Sequence, residues 1–182
     1  MKRILFIIGS LRTNSFNRRI AWQAAEMLQG RAEVNFLDYS AVPLMNQDVE
    51  FPAPPAVTAL REQVMQADGV WIFSPEYNHS YPGLLKNLID WLSRPLKQGD
   101  FGGVTAIAGQ KFCLSGAGGR SATADCLNKL TELLTFVRAQ VMTTPRLGIA
   151  LEPASFMTDQ LSLSEAQLQA LREEADAFLA FI

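Results

Sequence analysis

Two unbroken apolar runs, Ile4-Leu5-Phe6-Ile7-Ile8 and Val70-Trp71-Ile72-Phe73, constrain this chain more than any other feature. Neither alternates apolar with polar residues, as a strand with one wet face would. Strands of this kind need cover on both faces, which a parallel sheet between two helical layers provides. The intervening segments can supply those layers. Ile20, Ala24, Met27 and Leu28 recur at helical spacing until Gly30, and Glu33–Leu37 reads as a second strand. Val57–Ala67 reads as a helix with Leu60, Val64 and Ala67 on one face, broken by Asp68-Gly69. Pro82 suits the first turn of a helix carrying Leu85, Leu88, Ile89 and Leu92, which ends at Arg94-Pro95. Lys111–Leu114 is the fourth expected strand. A helix marked by Leu127, Leu130, Leu134 and Val137 follows, and Ala139–Met142 is the fifth strand. The last helix opens at Ser164 with Gln167 as its capping-box partner, and buries Leu168, Leu171, Ala175, Phe178 and Ile182. No repeat or linker interrupts the alternation. Residues 1–182 therefore read as one α/β domain, a flavodoxin-like three-layer sandwich with a five-stranded parallel sheet of order 2-1-3-4-5.

Composition removes several functions. Lys+Arg 16 against Asp+Glu 18 gives a net charge of −2, which argues against a nucleic-acid partner. No apolar run approaches the ~20 residues of a membrane span. Met1-Lys2-Arg3 starts like a signal peptide, but its apolar run stops at Gly9-Ser10 without a cleavage site, so a cytoplasmic location is expected. Cys113 and Cys126 are the only thiols, without C-x-x-C spacing, and His79 is the only imidazole. A His-rich metal site cannot be built, and both thiols read as packed core. Hard chemistry in such a chain belongs to a bound cofactor.

In an open α/β sheet, ligands bind beyond the carboxyl ends of the strands. Three loops leave those ends: Gly9–Phe16, Ser74–Tyr81 and Ser115–Gly119. The first combines hydroxyls, the Arg12 guanidinium and the free N–H groups of the helix that follows, which together suit a phosphate monoester. It matches neither a Walker A loop nor the G-x-G-x-x-G dinucleotide fingerprint. A plain helix cap at Ser15, with Arg12 on the surface, reads equally well. In the second loop, aromatic and hydrogen-bonding groups could pack on a planar ring system, or could form a polar turn shielding the core. His79 there reads as a surface side chain. The third loop is small enough for backbone to approach a flat ligand. Lys86, Asn87 and Asp90 read as a solvated helix face.

Taken together, G-S-L-R-T-N-S-F-N-R at 9–18, P-E-Y-N-H-S-Y-P-G-L-L-K-N-L-I-D-W-L-S-R at 75–94 and G-A-G-G at 116–119 resemble the NAD(P)H-dependent FMN reductase family. That family includes flavodoxin-like quinone, azo-dye and chromate reductases. The resemblance runs from Lys2 to about Leu147. It implies that Ser10, Arg12, Ser15 and Asn17, with the backbone around Leu11 and Phe16, hold the FMN phosphate. It implies that Pro75, Glu76, Tyr77, Asn78 and Ser80 flank the isoalloxazine and ribityl chain, and that Ser115, Gly118 and Gly119 close the other edge. It also implies a homodimer or homotetramer formed through Pro82–Arg94, with Trp91 as a candidate interface anchor, a core role for it reading equally well. The stretch 100–107 is longer than the family pattern.

The activity implied is passage of a hydride from NADPH or NADH through bound FMN to a small-molecule acceptor: a quinone, an azo compound, chromate or free flavin. No side chain is expected to serve as an obligate acid or base. The alternative is a flavodoxin-type electron carrier that binds FMN without appreciable NAD(P)H oxidation, although a charge of −2 offers little acidic surface for steering protein partners.

Overall fold

The computed structural model describes residues 1–182. Strand β1 (Lys2–Ile8) pairs in parallel with β2 (Ala32–Phe36) on one side and β3 (Gly69–Phe73) on the other. Next to β3 lies β4 (Lys111–Gly118), and next to β4 lies β5 (Gln140–Val141), giving the order β2-β1-β3-β4-β5. The flavodoxin-like expectation holds.

The two apolar runs divide by parity, because successive strand residues point to opposite faces. Leu5, Ile7, Val70 and Ile72 join Leu114 in one core layer, covered by α2 (Pro55–Gln66), α3 (Gly83–Leu92) and α4 (Ala124–Phe136). Ile4, Phe6, Ile8, Trp71 and Phe73 face the other way, under α1 (Phe16–Met27) and α6 (Glu165–Phe181). In this second layer Trp71 stacks on Phe73 at 5.0 Å and meets the edges of Phe6 at 5.5 Å and Phe178 at 5.6 Å. Aromatic pairs of this geometry contribute about 0.5–1.5 kcal/mol each beyond the area they bury. No helix is long and apolar enough to cross a membrane.

Three features add to or decide between the sequence readings. First, β4 continues through Ser115–Gly118, which had read as a turn. Its far half pairs with an additional strand, β6 (Gly148–Ala150), so β5 and β6 share one edge of β4 end to end. The small residues there serve close packing: a Cβ at Gly116 would lie 2.4 Å from the Ser74 carbonyl oxygen and 2.4 Å from Thr123 Oγ1. Second, a short helix, α5 (Pro153–Thr158), follows β6. Third, Trp91 is fully buried and its indole N–H donates to the Pro43 carbonyl at 2.8 Å. Of the two roles open to Trp91, it takes the core one.

The proline-rich connection 39–55 is a fastened traverse. The Asn87 side chain accepts from Met45 N at 2.7 Å and donates to the Pro43 carbonyl at 2.9 Å. Buried Glu50 takes a fork of two bonds from Arg94 at 2.7 and 3.0 Å. On α3, Lys86 pairs with Asp90 one turn on, as a solvated face would.

Candidate active site

The loop after β1 turns directly into α1. Ser15 is the N-cap, its hydroxyl accepting from Arg18 N, and Ser10 Oγ accepts from Arg12 N at 3.2 Å. The N–H groups of Phe16 and Asn17 find no acceptor within the chain. They are the donors a helix start presents to an anion, reinforced by the positive end of the helix dipole. The Arg12 guanidinium is half exposed and lies 5.4 Å from the centroid of the Phe16 ring, over its face.

Asn17 serves differently from its neighbours. Its side-chain amide donates to the Ala117 carbonyl at 3.0 Å and accepts from Ala117 N at 2.8 Å. Both polar atoms are spent on fastening α1 to β4, which leaves the phosphate-like donors to Arg12 and the helix amides.

After β3, Tyr77 and Ser80 exchange two backbone hydrogen bonds, at 2.9 and 3.0 Å, around Asn78 and His79. Both central residues have positive φ, at 52° and 56°, the signature of a tight I′-type turn, in which Asn is favoured. The Glu76 carboxylate turns away from the loop to the start of α4, accepting from Ser121 Oγ at 2.6 Å and from Cys126 N at 2.9 Å. Glu76 therefore ties the loop after β3 to the helix after β4. His79 is largely exposed and pairs with Asp125 at 2.7 Å.

These loops meet in one cleft. Ser10, Arg12, Ser15, Phe16 and Asn17 form one wall, Pro75, Glu76 and Tyr77 a second, and Ala117, Gly118 and Gly119 a third. Leu151 and Phe156, from beyond β6, close it. The stretch 100–107 contributes nothing to the lining. Four residues named from the sequence lie elsewhere. Leu11 points to a neighbouring hollow at the ends of β1 and β2, and Asn78 and Ser80 belong to the tight turn. Ser115 lies deeper on the face of β4 that it shares with Cys113 and Ala117, buried under α6, where its hydroxyl accepts from the Trp71 indole N–H at 2.7 Å and donates to Glu174 at 2.7 Å.

Glu174 reaches this point from α6 and also accepts from Leu147 N at 3.0 Å. Burial pushes its carboxyl up to about 7 despite those hydrogen bonds. Burial also holds the Cys113 thiol well above its ordinary value and raises Cys126 to about 11, so neither is a thiolate at neutral pH. The cleft thus contains binding groups and no reactive nucleophile. Its volume is about 180 Å³, below the roughly 300–1,000 Å³ of a pocket for a small ligand.

Part of that volume is taken by the segment sequence reasoning passed over. The ring of Phe156 meets the edge of Phe16 at 5.7 Å. Three residues later, Asp159 accepts from Arg12 Nη2 at 2.5 Å and from Asn14 Nδ2 at 3.1 Å, and its carbonyl accepts from Arg19 Nη1 at 2.7 Å. Pro153 at the first helical turn was the one signal that a helix starts there.

Residues 2–153 match the model of the NADPH-dependent FMN reductase family. The chain belongs to that family. It is 37% identical over 187 residues to a quinone reductase of Escherichia coli (strain K12), covering 99% of this chain and 95% of the relative. It is 31% identical over 181 residues to a 2-hydroxy-1,4-benzoquinone reductase of a Burkholderia species, covering 99% and 96%. A flavoenzyme NAD(P)H:(acceptor) oxidoreductase from Paracoccus denitrificans superposes with a TM-score of 0.85 at 29% identity, covering 99% of this chain and 96% of that one. The chain is therefore an oxidoreductase with FMN as cofactor and a reduced nicotinamide nucleotide as co-substrate. The cleft suits the group. The unpaired amides of α1 and the Arg12 guanidinium fit a phosphate, and the small third wall admits a flat ring.

Proposed function

We propose that this protein transfers reducing equivalents from NAD(P)H to a quinone, with FMN seated in the cleft between the three strand-end loops. The observation that carries the seat is the convergence of an anion-binding helix start with a glycine-lined wall and Tyr77. Support for the acceptor comes from the quinone reductases that align with nearly the whole chain.

In this reading, Arg12 and the amides of Phe16 and Asn17 bind the phosphate, with Ser10 and Ser15 shaping the loop that holds them. Pro75, Tyr77, Gly118 and Gly119 flank the ring, and Tyr77, about half exposed, offers an aromatic face at the mouth. Asn17 and Glu76 are positioning residues: one fixes the α1 wall to the β4 wall, the other fixes the β3 loop to α4. FMN supplies the hydride and electron chemistry, and the chain supplies binding and orientation. His79 lies outside the cleft lining, and both thiols are buried, so proton traffic is left to solvent and substrate.

The test is spectroscopic. The purified protein is saturated with FMN and its visible absorbance followed anaerobically through addition of NADPH or NADH, then of a benzoquinone. Bleaching by the nucleotide and recovery with the quinone, faster than with free FMN or chromate, is the expected sequence. Recovery no faster with a quinone than with the other acceptors would remove quinones as the substrate class. Persistent yellow after both nucleotides would favour the electron carrier.

A further inference from the structure

The anion-binding end of the cleft is already engaged by an anion from the chain itself. Asp159 sets one carboxylate oxygen on Arg12 and the other on Asn14, while its carbonyl takes a bond from Arg19 on the second turn of α1. All three donors lie in the loop and helix start that would receive a phosphate. The residue is in the left-handed conformation at φ 54°, directly after α5 ends, so its carboxylate is presented by a turn and not by a regular element. Phe156, from the same short helix, lies against Phe16 and lines the cleft. The Arg12–Asp159 pair is partly open to solvent, with 51% and 34% of the two side chains exposed, so an incoming anion can reach it.

We propose that Asp159 is a built-in competitor for the phosphate of FMN, and that residues 153–163 form a latch which FMN displaces. The proposal rests on the reading of the cleft as the FMN seat. A dianionic phosphate offers Arg12 and Asn14 more charge and more acceptor oxygens than one carboxylate, so the exchange runs toward the cofactor once it is present. The latch keeps the arginine paired in the meantime. A ligand lacking the phosphate has no means of displacing Asp159.

Two measurements test this. FMN and riboflavin affinities are compared for wild type and Asp159→Asn by quenching of flavin fluorescence, and hydrogen exchange of residues 153–163 is followed with and without inorganic phosphate at constant ionic strength. The expected result is an FMN affinity about two- to fivefold tighter in the variant, with riboflavin unchanged. Phosphate alone should raise exchange in 153–163 of the wild type. Weaker FMN binding in Asp159→Asn would overturn the proposal and make Asp159 a residue that positions Arg12 for the cofactor. Unchanged FMN affinity with unchanged exchange would also overturn it. If phosphate opens 153–163 but FMN fails to bind the wild type, the latch stands and the assignment of the cleft to FMN falls.

Discussion

Asn17 and Ala117, a hundred positions apart, are joined as two residues of adjacent strands would be, with an amide side chain in place of a strand. The contact is buried and satisfies both backbone groups of Ala117 at the point where β4 forms the third wall of the cleft. Truncation to Asn17→Ala leaves a buried N–H and a buried carbonyl unpaired, at about 1–3 kcal/mol each. Urea denaturation of the variant should show a loss of about 2–4 kcal/mol. A loss under about 0.5 kcal/mol, the level of an ordinary surface change, would mean that water reaches Ala117 without cost.

Close packing at the β3–β4 junction gives a second prediction. A methyl group at Gly116 would meet the Ser74 backbone, whereas at Gly119 it would meet nothing within 4 Å. Gly116→Ala should destabilise by about 1–3 kcal/mol or prevent folding, and Gly119→Ala should stay within about 0.5 kcal/mol of wild type. Equal melting temperatures for the two variants would contradict the packing described.

Glu174 makes stability depend on pH. Its folded carboxyl titrates at about 7, against 4.5 for the ordinary group. Below the lower value both states hold the proton and stability is full. Between the two values the unfolded chain ionises first, so stability falls as pH rises, by up to about 1.4 kcal/mol per pH unit, and levels off above the folded value. Glu174→Gln lacks this dependence. Thermal unfolding from pH 5 to pH 8 should therefore show the variant gaining on wild type as pH rises, by about 3 kcal/mol at most. Parallel curves for the two proteins would show that Glu174 titrates normally.

In the proposed seat, Arg12 addresses the phosphate and not the rest of the cofactor. Arg12→Ala should weaken FMN about tenfold or more while changing riboflavin little, since hydrogen bonds to charged groups contribute about 1.5–3 kcal/mol. Isothermal titration with both ligands decides it. Equal losses for FMN and riboflavin would place the phosphate away from Arg12.

The sheet was legible because Ile4–Ile8 and Val70–Phe73 are apolar on both faces and alternate with helical segments able to cover them. The loop walls of the cleft were legible because parallel strands place their carboxyl ends together. What escaped was set by long-range partners. Ser115–Gly118 has the composition of a turn, and only pairing with Gly148–Ala150 and contact with Thr123 make it strand. Asn17 and Glu76 carry ligand-like side chains whose atoms are taken up by the Ala117 peptide groups, the Cys126 amide and the Ser121 hydroxyl, all far along the chain. Asp159 sits in no periodic pattern, and nothing local marks it as the partner of Arg12.

The pairing of β6 with β4 also imposes an order of assembly. Chains emerge from the ribosome N-terminal end first, so β1, β3 and β4 are available before residues 148–150 exist. During that interval the far half of β4 carries an open edge of unsatisfied amides, the kind of surface onto which a neighbouring nascent chain can zip. Gly116, Ala117 and Gly118 offer such a neighbour almost no side chain to grip. The register of that half is therefore left to residues 148–150, which pair with it only once they have been made.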